Sequence, residues 1–206
     1  MKTEILLKKL EGIQTIESVK DTLKVNRQMA IYYIYRLRQS GYVKSKKLNN
    51  NKKVYAISHE NKLGGVSYYE IINANSPIKI SAQSTHKIYG KVPNLEETLL
   101  YAIKSRSLRT ILAALAFFKK INNWSELYHL SKKNHLERQV GALYDLAKRY
   151  MKTRKMTKRF RNNALPKKKH KFEYTIHGLS SKDFKDIEKT WKVYLPFNKA
   201  DMEEYK

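Results

Sequence analysis

The sequence predicts a mainly α-helical fold with a small amount of β-structure, of the α+β class. The 206 residues are 41% hydrophobic and 30% charged, a composition typical of chains that fold. Apolar residues recur at helical spacing along most of the chain, and two short β-prone segments follow the first three helical patterns. At this length we predict two domains, residues 1–60 and a mostly helical domain at residues 61–206.

The first two helices are predicted from apolar spacing and from their end signals. Residues 3–11 carry leucines at helical spacing, and Gly12 ends that pattern. Thr15 is placed to cap a second helix. Residues 24–26 then form a short turn in which the apolar Val25 is expected to point inward.

A third helix is predicted from Asn26, a favourable N-cap residue, to about residue 40. Gly41 follows in the position that favours a glycine after a helix. Four residues at positions i, i+3, i+4 and i+7 form its predicted buried stripe: Ala30, Tyr33, Ile34 and Leu37.

Two β-prone segments, residues 42–48 and 53–58, follow this helix. The three asparagines at residues 49–51 tolerate left-handed turn geometry and join the segments as a hairpin. The order helix, helix, turn, helix, hairpin is that of a winged helix-turn-helix. Such a module places its third helix in the major groove of DNA and its hairpin, the wing, along or into the minor groove.

The side of the third helix opposite the buried stripe is basic and aromatic, and the hairpin adds lysines. Arginine and glutamine near the start of such a helix reach base edges, whereas tyrosine and arginine further along reach phosphates. The predicted DNA-binding residues are Asn26, Arg27, Gln28, Ile31, Tyr32, Tyr35, Arg36, Arg38, Lys44, Lys46, Lys47, Lys52 and Lys53. A solvated basic face on an ordinary three-helix core, or a module that docks a protein, are the alternatives.

Charge points to an anionic partner. The chain has 43 Lys and Arg against 18 Asp and Glu, for a formal net charge of +25. Such an excess repels itself in a compact fold, and nucleic acid is its commonest partner, ahead of an anionic membrane surface. Residues 131–171 hold 15 basic and 2 acidic residues, about half of the whole excess.

The early part of the second domain is predicted to change from strands to helices. Residues 66–92 alternate modestly, which predicts short strands and turns with Pro77 and Pro93 as breakers. Asn94 is placed as an N-cap with Glu97 three positions on, and it opens a bundle of four helices.

A basic segment follows at residues 148–171. The fourth of these helices is predicted to continue into its first part, residues 148–163, and the lysine run at residues 167–171 is predicted to be a loop. The cations of this first part are interleaved with apolar residues, which suits nucleic acid, an acidic protein, an anionic membrane or a solvated face. The predicted secondary basic surface consists of Lys148, Arg149, Lys152, Arg154, Lys155, Lys158, Arg159, Arg161, Lys167, Lys168 and Lys169. A strand at residues 172–176 and a final helix at residues 181–195 are predicted to follow.

The sequence favours binding over catalysis. The absence of cysteine excludes disulfides, Cys-ligated zinc, iron–sulfur clusters and a thiol nucleophile. Gly64 and Gly65 lack the spacing of a phosphate loop, and His129 and His135 are six residues apart rather than four. We therefore predict that the protein is not an enzyme and binds no cofactor or metal. With no membrane-length apolar run and no signal peptide, we predict a cytoplasmic protein without a membrane partner.

Two stretches together resemble the AbiE-type antitoxin (AbiEi-like) transcriptional regulators. They are VNRQMAIYYIYRLRQSGYVKSKKLNNNKKVYAIS and VPNLEETLLYAIKSRSLRTILAALAFFKKINNWSELYHLSKKNHLERQVGALYDLAKRYM. The second has an acidic helix start with a Leu-Leu pair, an arginine-bearing helix and a Trp/Leu helix. It closes on the Arg-x-x-Gly-x-Leu pattern of Arg138, Gly141 and Leu143.

The resemblance implies a DNA-binding repressor of its own operon that is paired genetically with a nucleotidyltransferase toxin. Because winged-helix regulators usually read two half-sites, a homodimer on a promoter or operator is expected. The sequence departs from the family in its basic segment and its extra C-terminal helix. A nonspecific DNA- or RNA-binding protein, architectural or ribosome-associated, is therefore the alternative function.

Overall fold

The structure, a computed structural model, describes residues 2–48, 52–58, 65–82, 87–167 and 169–205. The predicted hairpin turn at residues 49–51, Gly64 and Lys168 lie outside these ranges. Contacts divide the chain into two compact units, Met1–Ser67 with Thr85–Val92, and Tyr68–Ser84 with Pro93–Lys206. In the part of the chain that is described, no helix has the length and apolar character needed to cross a bilayer.

The first unit combines three helices with a small antiparallel sheet. In chain order its elements are α1 (Thr3–Leu10), β1 (Gly12–Gln14), α2 (Ile16–Leu23), α3 (Arg27–Gln39), β2 (Val43–Lys47) and β3 (Lys53–Ile57). The strand order is β1-β3-β2, with β3 paired to both neighbours. The predicted helices and hairpin are confirmed, whereas β1 is a strand that the sequence analysis does not predict.

Side-chain caps set the starts of α2 and α3. The Thr15 hydroxyl accepts the Ser18 N–H at 3.1 Å, and the Ser18 hydroxyl accepts the Thr15 N–H at 2.8 Å. Asn26 Oδ1 accepts the Met29 N–H at 2.8 Å. Each bond satisfies a backbone donor that the first turn of a helix leaves free, so both predicted caps are confirmed.

The core of the first unit lies under α3. The predicted stripe of Ala30, Tyr33, Ile34 and Leu37 is buried, against Leu6, Leu10 and Val19. Val25 is partly buried and packs on the same cluster, as its place in the turn predicts. The opposite face of α3 is therefore left to solvent.

Residues beyond the predicted boundary at residue 60 also belong to the first unit. Val66 and Ile88 form an antiparallel bridge, with backbone bonds of 3.1 and 2.8 Å. The Tyr89 ring lies against the backbone of Gly41, where a Cβ would be 3.0 Å from the ring. Gly41 has a φ of +88°, so both its conformation and this close approach favour glycine.

The second unit is mostly helical. Its first elements are α4 (Tyr68–Asn75), α5 (Leu95–Lys104), α6 (Leu108–Ala114) with a 3₁₀ extension (Leu115–Lys119), α7 (Trp124–Lys133) and α8 (Glu137–Tyr150). The Asn94 cap is confirmed by its 2.7 Å bond from the Glu97 N–H. The prediction of strands and turns over residues 66–92 is wrong for α4, whose Tyr69, Ile71 and Ile72 are buried.

The predicted continuation of the fourth helix through the basic segment is also wrong. Helix α8 ends at Tyr150, and α9 (Lys158–Ala164) begins anew behind the Thr157 cap. Between them Arg154 N donates to Phe118 O at 2.8 Å, and Met156 N donates to Tyr144 Oη at 3.0 Å. These bonds hold the intervening chain away from helical geometry.

The C-terminal part is more divided than the sequence predicts. It contains β4 (Glu173–Tyr174), α10 (Lys185–Trp191), β5 (Val193–Tyr194) parallel to β4, and a 3₁₀ helix (Ala200–Tyr205). The predicted helix at residues 181–195 is shorter because Lys192 has a left-handed φ of 51°, which ends α10 before the strand begins. The side chains of Phe184, Ile187, Trp191 and Leu195 are buried.

Gly141 gives a direct test of this packing. A Cβ at Gly141 would lie 2.3 Å from two carbons of the Trp191 ring, which is fully buried. We expect Gly141→Ala to lower the free energy of unfolding by about 1–3 kcal/mol, because the core must shift to admit the methyl group. Urea denaturation measures this. In a Trp191→Phe background the added cost should shrink, and an unchanged cost would contradict the assigned contact.

Candidate nucleic-acid interface

The solvent face of α3 is the strongest candidate interface in the first unit. Helix α3 contains no Asp or Glu. Its exposed and partly exposed side chains form two rows at helical spacing. One row is Arg27, Ile31, Tyr35 and Arg38, and the other is Gln28, Tyr32 and Arg36. The structure therefore brings the α3 residues that the sequence predicts onto one side of a single helix.

Two arginines of this face pack against its tyrosines. The Arg36 guanidinium carbon lies 5.7 Å from the centroid of the Tyr32 ring, and that of Arg38 lies 6.0 Å from the Tyr35 ring. Both tyrosine side chains are about half exposed, at 49% and 50%. Cation–π contact limits the rotamers of each arginine while its charge stays available to a polyanion.

Two contacts at the start of α3, made by Asn26 and Arg27, leave side-chain hydrogen-bond donors available to a ligand. Asn26 uses its Oδ1 as the helix cap, so its contribution to the site is first of all structural. Arg27 Nε lies 3.4 Å from Glu17 Oε1, and both side chains are more than half exposed. An exposed ion pair of this length is weak, so phosphate or a base edge can displace Glu17 at little cost.

Arg38 differs from the other predicted residues of α3. Like Arg36 it is only partly exposed, but its Nε is buried without a hydrogen-bond partner. With Val43 and Lys44 it lines a cavity of about 340 Å³ beside β2. Arg38 therefore borders this cavity as well as the outer face of the helix, where it packs against Tyr35.

The β2–β3 hairpin presents lysines with few neighbouring carboxylates. Lys44 and Lys46 pair with Ala56 and Val54 and lie on the face of the sheet away from the core. Lys47 lies directly opposite Lys53, an arrangement of like charges that destabilises a hairpin without an anion. Lys52 is also exposed, so all five predicted lysines of the hairpin reach solvent.

Gln39, at the end of α3, extends the row of Gln28 and Tyr32 and is not among the predicted DNA-binding residues. Its side chain is exposed, and it lies seven positions after Tyr32 and eleven after Gln28. These intervals keep a residue on the same helical row, so extending the row by one more turn is the signal that finds it.

The secondary basic surface is only partly assembled. Arg161 binds Asp145 with both of its terminal nitrogens, at 2.9 and 3.0 Å, and Arg149 forms an ion pair with Asp186. The bond from Arg149 lowers the pKa of Asp186. Arg161 thus has a structural partner in the mostly buried Asp145, whereas Arg149 pairs with an exposed carboxylate; the role of both as interface residues stays a prediction. The remaining described members are exposed: Lys148, Lys152, Arg154, Lys155, Lys158, Arg159, Lys167 and Lys169.

Comparison of the chain with protein-family models, with curated proteins and with solved structures finds no significant match in any of the three.

The structural role of Arg161 separates it from its neighbour Lys158 on the same helix. We expect Arg161→Gln to lower the free energy of unfolding by about 1.5–3 kcal/mol, because it removes a two-bond contact to a mostly buried carboxylate. Lys158→Gln removes the same charge from an exposed position and should change stability by less than about 0.5 kcal/mol. Thermal or urea unfolding of both variants checks this, and equal losses would show that Asp145 does not depend on Arg161.

Proposed function

We propose that the first unit is a winged helix-turn-helix that binds double-stranded DNA. Its order of elements and the pairing of β3 with both β1 and β2 are those of such a module. The observation that carries the proposal is the outer face of α3, where arginine, glutamine and tyrosine occur without a carboxylate. The five exposed lysines of the β2–β3 hairpin favour DNA over a protein partner, because protein interfaces are depleted in lysine.

The proposed roles follow from side-chain chemistry and position. Arg27 and Gln28 lie in the first turn of α3 and reach base edges in the major groove. Tyr32 and Arg36, in contact with each other, bind phosphates and set the register of the helix. Lys44 and Lys46 of the wing add phosphate contacts beside or within the minor groove. The activity is binding alone, and it assigns no cofactor or metal.

At the cellular level we propose a transcriptional regulator that represses its own promoter. The resemblance to AbiE-type antitoxins supports this role and, with it, pairing with a nucleotidyltransferase toxin. A homodimer on a two-half-site operator is part of the same proposal, since a single α3 covers few base pairs. A cytoplasmic location follows from the DNA partner.

Nonspecific binding of DNA or RNA through the second unit is the other candidate. The observation that favours it is the segment between α8 and α9, whose Lys152, Arg154 and Lys155 are exposed. Among the described residues, no carboxylate pairs with these three side chains. Because their backbone is pinned to Phe118 and Tyr144, the cations are held on an ordered surface.

Binding to the promoter of its own gene, against scrambled duplex DNA at several salt concentrations, tests the main proposal. We expect tighter binding to the promoter, with a preference that persists as salt rises. Arg27→Ala should cost about 1–3 kcal/mol on the promoter and reduce the preference, because a base contact is lost. Lys46→Ala should weaken both duplexes alike and lower the salt slope by about one.

Lys9→Ala is the matched control, since Lys9 is an exposed lysine of α1 in the same unit. It should leave the preference unchanged. Equal binding to both duplexes, with Arg27→Ala and Lys9→Ala indistinguishable, would overturn the proposal of a sequence-reading α3.

The second candidate is tested with a triple variant, Lys152→Gln, Arg154→Gln and Lys155→Gln, on structured RNA and on duplex DNA. It spares Arg149 and Arg161, which the fold uses. If the segment is the main contact, the binding should weaken and its salt slope should fall by about three, one for each lost phosphate contact, while Arg27→Ala has no effect. Retention of duplex affinity by the triple variant would leave α3 as the main contact. If the wild-type chain shows no salt-sensitive binding to either nucleic acid, the result would favour a protein-docking module.

A further inference from the structure

A cavity of about 300 Å³ lies between α7 and α9 in the second unit. Its floor is aromatic, and its rim carries amide and cationic side chains. The residues that matter here are Trp124, Tyr128, Phe160, Asn122, Arg159 and Asn163. None of them takes part in the proposed DNA interface.

The floor is rigid and apolar. The Trp124 and Phe160 ring centroids are 5.4 Å apart, and those of Tyr128 and Phe160 are 5.7 Å apart, both edge-to-face. Trp124 is 4% exposed and Phe160 is 1% exposed, so tight packing fixes both rings. Because these two rings are almost wholly covered, an apolar group entering the cavity would meet mainly the partly exposed Tyr128 ring, which their packing holds in place.

The rim holds polar groups that the fold does not use. Arg159 and Asn163 lie one turn apart on α9, and Asn122, two residues before α7 begins, lines the same cavity. In the described part of the chain, none of these three side chains has a hydrogen-bond or ion-pair partner. Asn123, by contrast, is occupied, since it caps the Glu126 N–H at 3.0 Å and donates to the Glu126 carboxylate. The residues around the cavity include no Asp or Glu.

We propose that this cavity binds a single-ring aromatic carboxylate. The ring would lie against Tyr128, above the covered Trp124 and Phe160 rings, and the carboxylate would pair with Arg159, whose planar fork suits two carboxylate oxygens. The amides of Asn122 and Asn163 would bind polar substituents of the ring. At ~30 Å³ for each water-sized volume, the cavity holds about ten non-hydrogen atoms, the size of benzoate or a hydroxybenzoate.

This inference does not depend on the proposed DNA binding. It concerns residues of the second unit alone, and its test measures a small molecule. Failure of either proposal leaves the other standing.

Titration of the ¹⁵N-labelled full chain with benzoate tests the site by NMR. The chain has two tryptophans, so its indole N–H region contains one signal from Trp124 and one from Trp191. We expect the Trp124 signal to shift saturably, with a dissociation constant of about 1 mM or lower. Trp191 is fully buried and its Nε1 donates to Asp145 at 2.7 Å, so its signal should stay in place.

Neutral and ring-free probes separate the two parts of the proposal. Benzamide has the shape of benzoate without its charge, and acetate has the charge without the ring. Each should bind at least roughly tenfold more weakly than benzoate. Arg159→Gln should weaken benzoate roughly tenfold, whereas Lys158→Gln, one residue away and outside the cavity lining, should have less than a twofold effect.

A Trp124 signal that does not move with benzoate, while both variants remain folded by their NMR spectra, overturns the site. Equal shifts with benzamide overturn the anionic ligand. Equal losses of benzoate affinity in Arg159→Gln and Lys158→Gln would show that the binding depends on the overall charge of the chain and not on Arg159.

Discussion

The Asp145 carboxylate holds three helices of the second unit together. It accepts both terminal nitrogens of Arg161 at 2.9 and 3.0 Å, and it accepts Trp191 Nε1 at 2.7 Å. Asp145 lies on α8, Arg161 on α9 and Trp191 on α10. The Arg161 guanidinium also lies 5.3 Å from the Trp191 ring centroid, which closes the cluster. A carboxylate with three short charge-assisted bonds fixes its partners more strongly than an isolated surface pair.

Much of the second unit follows from this cluster. The indole that Asp145 positions fills the space beside Gly141, where a larger residue would collide with it. The placement of α9 in turn sets Phe160 against Trp124 and orients Arg159 and Asn163 at the cavity. In a chain with 18 acidic residues against 43 basic ones, this carboxylate gives Arg161 a structural role that most of the other cations lack.

The predictions succeed where the signals are local. The cap residues Thr15, Asn26 and Asn94 each act within three positions, and the stripe on α3 repeats within one helix. They fail where the partner is distant in sequence. Strand β1 is three residues long and exists only because β3, about forty residues later, pairs with it.

The helix predicted to continue into the basic segment is wrong for the same reason. Its period is compatible with a helix, but Phe118 and Tyr144 bind its backbone in another conformation. Arg161 has a structural role because it contacts Asp145 and Trp191, which are 16 and 30 positions away in the sequence. Arg159, two residues earlier, has no such contacts. The cavity between α7 and α9 combines side chains from two segments that share no motif. Spacing along the chain therefore finds the face of α3 and misses the cavity.

The two basic surfaces differ in what they can distinguish. Lys152, Arg154 and Lys155 lie on an irregular segment and not on a helix that can enter the major groove. We therefore expect them to contact phosphates, and such binding weakens as salt rises. The face of α3 combines arginines with half-exposed tyrosines, and its Gln28 can both donate to and accept from a base edge. A steep salt dependence would therefore arise from either surface and cannot assign the site. A preference for one duplex that survives high salt requires groups that read bases, and of the two surfaces α3 is the one that carries them.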